Sequence, residues 1–221
     1  MIDLTQAMKD RHSVRSYISR PIDADKAAAL QDMIQKTNAK TGLHFQLMLN
    51  EPQAFSGRLA HYGSFHSCAN YFAVTARDGR EVDIGYYGER LVLFAQQLGL
   101  NTCWVALTYS KGKVPVDCAP GEKLRIVIAL GYGETQGIPH KSKAITSLCR
   151  VNGGMPDWFR KGMEAAVLAP TAVNQQKFRF TLVDTNTVKA TTAFGPYARI
   201  DLGIAKLHFE IGAGKENFQW A

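Results

Sequence analysis

The sequence predicts an α+β fold, a pseudo-dimer of two unequal halves packed around buried central helices. Three observations carry this expectation. Residues 83–99 and 200–213 are helical runs whose apolar side chains cover much of the circumference, so both helices should be buried. LRIVIAL, residues 124–130, is a continuous apolar run and reads as a strand covered on both faces. Two stretches also repeat the order helix, strand, helix. Residues 29–49 can be laid over residues 162–182, and VDIGYYGERLVLF, from Val82, over IDLGIAKLHFEI, from Ile200. Asp83 and Gly85 then meet Asp201 and Gly203. The plain alternative is that two amphipathic α/β segments look alike by composition.

Taken in order, residues 2–9 read as a short amphipathic helix with Ile2, Leu4 and Met8 inward. Pro21 and Asp23 open a second helix over residues 24–38, with Asp23 or Asp25 as cap and Ala28, Leu30, Met33 and Ile34 as its apolar face. Gly42 stops it. Residues 44–50 alternate as a strand with Phe45, Leu47 and Leu49 on one side. Residues 55–67 are expected to be irregular, residues 70–76 to be a strand, and Gly99 to cap the long helix. Residues 139–150 read as a crossover. Asn152, Gly153 and Gly154 mark a turn, which divides the chain into a first half, 1–152, and a shorter second half, 153–221, within one compact unit. A helix over 157–168, capped by Asp157 and with Met163, Ala166 and Val167 inward, leads to a strand at 178–184. The last helix is followed by a tail that carries Phe218 and Trp220.

Composition narrows the function classes. The chain has 221 residues, 46% of them hydrophobic and 20% charged, a balance ordinary for a soluble domain. No apolar run approaches the roughly 20 residues that span a bilayer, so no membrane partner is expected. The start, MIDLTQAMKDRHS, carries Asp3 and no apolar core, unlike a signal peptide. Cys68, Cys103, Cys118 and Cys149 form no CxxC pair and read as free thiols of a reducing compartment, so a cytoplasmic location is expected. Lys and Arg total 26 against 19 Asp and Glu, a formal charge of +7 that favours anionic ligands such as phosphates or nucleotides. The basic residues are spread out, with no basic helix or aromatic RNA-binding motif, so nucleic acid is not expected.

Three stretches carry chemistry. AAVLAPTAVNQQKFRF, residues 165–180, ends a helix at Ala169 and Pro170 and resumes as a strand at Phe178. Pro170 removes a donor and pushes Ala169 out of the helical region. Thr171, Asn174, Gln175 and Gln176 form a polar loop with donors and acceptors suited to a flat, polar-edged ring; an ordinary helix-to-strand connection is the bland reading. RHSVR sets Arg11, Ser13 and Arg15 on alternating positions around His12, and HKSK does the same with Lys141 and Lys143. Guanidinium and ammonium groups with a hydroxyl suit a phosphate, although a run of charges is more often a solvated face.

RHSVRSY resembles the RRSxRxF opening of the nitroreductase family of FMN enzymes, and APTAVNQQKF is similar to that family's APSxxNxQPW loop. GYYGERLVLFAQQLGLNTCW resembles its buried central helix and following strand, and VIALGYGETQGIPHKSK its ALGYP strand with a basic phosphate-binding pair. The loop lies near the C-terminus here rather than soon after the first motif, as in the branch of that family with two half-domains fused in one chain. The resemblance implies a three-layer α-β-α sandwich, FMN as cofactor, and a site that forms once per chain. It implies that Arg11, His12, Ser13, Arg15, Lys141 and Lys143 hold the phosphate, the ribityl chain and the pyrimidine edge. Pro170, Thr171, Ala172 and Asn174 would lie on the flavin rings, and Val105, Ala106 and Leu107 would pass backbone near flavin N5. His12 replaces the family's second Arg, Lys177 its Pro and Phe178 its Trp, and the polar residue that faces the pyrimidine has no match around His61 to Ser64.

The activity this implies is hydride transfer from NAD(P)H to FMN, then reduction of a nitroaromatic, quinone or similar small acceptor by a ping-pong mechanism, with no side chain as acid or nucleophile. A monomer with internal pseudo-two-fold symmetry is expected. The alternative is a flavin-binding module, a sensor or carrier without turnover; the same fold can also host other flavin chemistry. His61, His66 and Cys68 fit no standard zinc spacing, so no metal is expected. GYGETQG has a misplaced third glycine for a dinucleotide loop. His208 reads as a packed or surface histidine.

Overall fold

The computed structural model describes residues 2–221. Its helices are α1 Leu4–Asp10, α2 Ala24–Thr41, α3 Arg58–Tyr62, α4 Glu81–Gln97, α5 Ile145–Leu148, α6 Asp157–Ala166 and α7 Ala198–Ala213. Its strands are β1 His44–Met48, β2 Asn70–Ala76, β3 Asn101–Val105, β4 Lys123–Gly131, β5 Cys149–Arg150, β6 Phe178–Leu182, β7 Thr187–Thr192 and β8 Gln219–Trp220. The strands form two four-stranded sheets, ordered β1-β2-β4-β3 and β5-β6-β7-β8, so the fold class is α+β. Among the described residues, no helix is long and apolar enough to cross a membrane.

The chain divides into two compact units that interleave in sequence. The first holds Asp10–Arg80 and Leu91–Pro139, together with Ile2; the second holds Asp3–Lys9, Glu81–Arg90 and His140–Ala221. In the first unit every neighbouring pair of strands is antiparallel. β2 is buried along its whole length and β4 from Ile126 onward, which is why NYFAVTA and LRIVIAL carry almost no charge. Phe55, Phe65, Tyr71, Val105, Tyr109 and Val127 belong to its core. α2 ends at Gly42, in the left-handed region at φ 66°, with its N–H donating to the Asn38 carbonyl. α4 ends in a Schellman motif: Leu100 N–H donates to the Ala95 carbonyl and Gly99 N–H to that of Gln96, with Gly99 at φ 76°.

In the second unit, β6 pairs antiparallel with β7, and the short strands β5 and β8 flank them in parallel. The tail is part of this core. Phe209 stacks on Phe180 with centroids 4.7 Å apart and meets Phe218 edge-on at 5.2 Å, while Trp220 Nε1 donates to Glu210 at 2.7 Å. The first half of α4 meets α7 backbone to backbone. A Cβ on Gly85 would sit far inside contact distance of the Ile200 carbonyl oxygen and 3.0 Å from the Ile204 nitrogen. A Cβ on Gly203 would meet the Val82 carbonyl oxygen and lie 2.7 Å from the Tyr86 nitrogen. The contacts are reciprocal, and their register is the one in which Val82, Gly85 and Tyr86 overlay Ile200, Gly203 and Ile204. Further along the same pair, His208 Nε2 lies 2.9 Å from Glu89 Oε1 and Nδ1 lies 3.2 Å from the Ala165 carbonyl, with both side chains fully buried. A carbonyl only accepts, so Nδ1 carries the hydrogen there, and α4, α6 and α7 are tied by one imidazole. His208 is thus the packed histidine of the two readings.

Several local expectations change. Ile2 and Leu4 are exposed, and α1 buries Ala7 beside the expected Met8. On α2, Ala28 is exposed, and Thr37 is buried with its hydroxyl donating to the Met33 carbonyl. Asp23 and Asp157 make no capping bond; Asp23 binds Arg20 and the Tyr132 hydroxyl, and Asp157 pairs with Arg160 and Lys161. Leu49 is exposed beyond the end of β1. Residues 55–67 contain α3, preceded by a 3-10 turn at Gln53–Phe55.

Replacing Gly85 or Gly203 by alanine must force α4 and α7 apart, because the obstructing atoms are backbone. Each change is expected to cost about 3 kcal/mol or more, lowering Tm by roughly 6–12 °C for a chain of this size. The double variant should cost less than the sum, since helices already separated by one Cβ leave room for the second. Calorimetry on the three variants measures this; additive or negligible losses would contradict the close approach.

Candidate functional site

In the first unit, RHSVRSY lies extended and is held on both sides. Ser13 bridges Thr102 in parallel, and Val14 N–H donates to the Thr102 carbonyl at 3.0 Å, so the segment runs beside β3, an edge strand. Tyr17 N–H donates to the His66 carbonyl and His66 N–H to that of Arg15, while Ile18 N–H reaches the Tyr132 carbonyl at 2.9 Å. The buried Tyr17 hydroxyl donates to the Val14 carbonyl at 2.7 Å. Arg11 is buried, Ser13 half-buried and Arg15 exposed. All three act on one point, the buried Cys103 thiol: burial pushes it up, opposed by Arg15, by a hydrogen bond with Ser13 and by Arg11. The His12 imidazole is held below its ordinary range by partial burial and by the charge of Arg11, so it adds no cation at neutral pH. Val105 ends β3 buried, and Ala106 and Leu107 follow it outward, with Leu107 70% exposed.

In the second unit, the stretch after α6 is a strained loop. The chain closes α6 with tight turns, Leu168 N–H to the Ala165 carbonyl and Ala169 N–H to that of Ala166, and Pro170 then ends it. Val173, Asn174 and Gln176 have φ of 46°, 54° and 42°. Each such residue costs about 1–3 kcal/mol, and a β-branched valine is the least suited of the three. Polar anchors hold the loop. Asp201, near the start of α7, accepts the Ala172 N–H at 3.0 Å and the Gln175 side-chain amide at 2.7 Å. Gln176, 2% exposed, donates its backbone N–H to Thr171 Oγ1. Its side chain accepts from Lys143 N–H at 2.8 Å and donates to the Lys141 carbonyl and to Asn174 Oδ1 at 2.9 and 2.7 Å.

Gln176 therefore fastens the KSK segment to the loop. Asn174 Nδ2 also donates to the Lys141 carbonyl, and the Lys143 ammonium donates to the carbonyls of Gln175 and Gln176 at 2.7 and 3.1 Å. On the alternate positions, Ser142 donates to the Val167 carbonyl at 2.9 Å and His140 Nε2 lies 3.0 Å from it. The second unit thus brings Lys141, Lys143, Pro170, Thr171, Ala172 and Asn174 into one cluster, and the first unit brings Arg11, His12, Ser13 and Arg15 onto the strand that leads to Val105, Ala106 and Leu107. Sequence reasoning missed Asp201 as a loop anchor and read Gln175 and Gln176 only as ring-facing polar residues. The one available signal was IDLG, where the repeat singled out Asp201 without giving it a task.

Each cluster by itself offers polar groups: in the first unit Arg15 is an exposed cation near the Ser13 hydroxyl, and in the second Lys141 is an exposed cation and Asn174 an exposed amide, with Val173, 96% exposed, as an apolar surface beside it.

Burial pushes the Asp201 carboxyl up to about 6, against the pull of the Ala172 N–H and the Gln175 amide. The folded state therefore holds this proton more tightly than the unfolded chain, and the stability owed to the group falls as pH rises from about 4 to about 6, by about 3 kcal/mol in all. Asp201→Asn removes that slope. In urea unfolding, its stability relative to the native protein should climb across this window and level off above it; a constant difference from pH 4 to 7 would contradict the burial of an ionised carboxylate.

The family model described as "Putative TM nitroreductase" matches residues 3–213. Among solved structures, one described as "a putative nitroreductase" from Thermotoga maritima MSB8 is 22% identical, covering 97% of this chain and 85% of its own, with a TM-score of 0.70. A nitroreductase family protein from Streptococcus pneumoniae TIGR4 is 13% identical, covering 66% of this chain and 98% of its own, with a TM-score of 0.50. A nitroreductase with bound FMN from Bacteroides fragilis NCTC 9343 is 19% identical over 65% and 95%, with a TM-score of 0.48. At these identities the first two likenesses are of fold alone. No curated protein matches the chain.

Proposed function

The chain belongs to the family described as "Putative TM nitroreductase", and from that premise we propose that it is an FMN-dependent oxidoreductase that takes hydride from NAD(P)H and reduces a small acceptor, a nitroaromatic or quinone, in ping-pong fashion. The observation that carries the reading is that the motif residues gather into a cationic, hydroxyl-bearing strand edge in one unit and a loop joined to a lysine pair in the other. When bound, FMN supplies the hydride and electron chemistry.

The chain's own residues bind and orient. Arg11, Ser13 and Lys141 are proposed to hold the phosphate and ribityl chain, with His12 beside them as a neutral imidazole. Arg15 is proposed at the pyrimidine edge, where a cation favours negative charge on that side of the ring. Lys143 serves through the loop, since its ammonium donates to two loop carbonyls and so adds positive charge at the place where Asn174 is presented. Pro170, Thr171, Ala172 and Asn174 are proposed to face the rings, and backbone N–H groups among Val105, Ala106 and Leu107 to approach flavin N5. No side chain is assigned as acid or nucleophile. RHSVR occurs only before the first half and APTAVN only in the second, so one flavin per chain is proposed.

Protein purified with its cofactor should be yellow. Arg11→Ala and the exposed-site variant Lys141→Ala should each weaken FMN binding about tenfold or more, the worth of one charge-assisted bond, with unchanged circular dichroism. Anaerobic mixing with NADH or NADPH should bleach the flavin band quickly. Colourless protein that ignores added FMN would overturn the proposal, and a flavin band that never bleaches would leave a binding module without turnover.

A further inference from the structure

We propose that Asp201 is a positioning residue for the loop at residues 171–176: its carboxylate, with a donor on each oxygen, holds the loop in the conformation that meets the flavin. The proposal rests on the FMN reading above for the ligand, and on geometry alone for the latch.

One carboxylate spans the strained turn. Oδ1 accepts the Ala172 N–H at 3.0 Å and Oδ2 accepts the Gln175 amide at 2.7 Å. Between those two anchor points lie Val173 and Asn174, both in the left-handed region. Gln175 is itself fixed, because its Nε2 also donates to the Pro196 carbonyl at 2.8 Å. Both oxygens of Asp201 therefore face donors. Asn at this position keeps the size but sets its Nδ2 donor against the Gln175 amide and removes one acceptor.

Asp201 is 4% exposed, and burial, not a neighbouring anion, raises its carboxyl, against the two hydrogen bonds. The ionisable groups at this end of α7 are Glu81, paired with Arg199 at 3.4 Å, Asp83 in the same first turn of α4, and Lys177, whose ammonium donates to the Phe194 carbonyl at 2.9 Å. A buried charge held without a cation partner weakens the fold, so its use lies in what it holds. The repeat adds contrast. Asp83 occupies the corresponding place on α4, and the segment that corresponds to the loop has neither the APTAVN sequence nor its strained turn.

The test compares the native protein with Asp201→Asn in two measurements. FMN affinity is read by flavin fluorescence at about pH 7.5 and about pH 5, and exchange of the Ala172 amide is read by NMR on flavin-free protein at the same values, corrected for intrinsic rates. At the higher pH the variant should bind FMN about tenfold more weakly, the loss of one charge-assisted bond. Any pH response the two proteins share belongs to the FMN phosphate. Protection of Ala172 should be lower in the variant than in the native protein at both pH values. Equal affinities at both pH values, or Ala172 protection that ignores the substitution, would overturn the proposal. Should native protein bind no FMN at all, the flavin reading fails, and amide exchange alone decides for or against the latch. Gln175→Ala, which removes the donor to Oδ2 and leaves Asp201 in place, decides it if the variant does not fold.

Discussion

The approach of α4 and α7 through Gly85 and Gly203 is the constraint on which the rest of the second unit depends. Two helices that carry glycine at the crossing can bring carbonyl and amide groups within reach of each other's backbone, and any side chain there would open a gap. That crossing sets the register of everything downstream. Asp201 follows Ile200, whose carbonyl lies against Gly85, so the carboxylate is delivered to the loop at a fixed height. Farther along the same helices, the register sets Glu89 against His208, and the imidazole in turn takes up the Ala165 carbonyl at the end of α6. A loop that follows directly from α6 thus inherits its position from a contact between two other helices.

The candidate site is built on the same economy of polar groups. Gln176 is buried and uses its backbone N–H and both ends of its amide, so that two segments distant in sequence become one rigid surface. The left-handed residues beside it are held by the Asp201 carboxylate and by the Lys143 ammonium on two carbonyls. In the first unit the same task falls to backbone bonds: RHSVRSY is fixed by Thr102, His66 and Tyr132, and its side chains are left to differ in exposure from the buried Arg11 to the open Arg15. Strain held by well-satisfied anchors is the pattern expected where a backbone must present groups to a ligand.

What could be read in advance follows from how local each signal was. NYFAVTA and LRIVIAL are strands because continuous apolar β-formers permit little else, and α4 and α7 declare themselves by apolar residues on most faces. Gly42 and Gly99 end helices by a rule of backbone conformation that needs no tertiary context. β7 escaped because TVKATT buries only Val188, so its pairing depends on β6 and β8 rather than on its own pattern. The strand nature of Gln219 and Trp220 escaped for the same reason. At the site, the motif residues were legible as residue types, but the anchors were not. A glutamine in a polar loop and an aspartate in an apolar helix give no hint of burial until the elements that cover them are in place.

The central proposal is that one flavin is bound per chain, since each of the two motifs occurs once in the sequence. Its most direct measurement is flavin content per chain on protein whose mass in solution is determined in the same sample. The account predicts one FMN per chain, in a species of one chain's mass. Two flavins per chain, or one flavin shared between two chains, would contradict it.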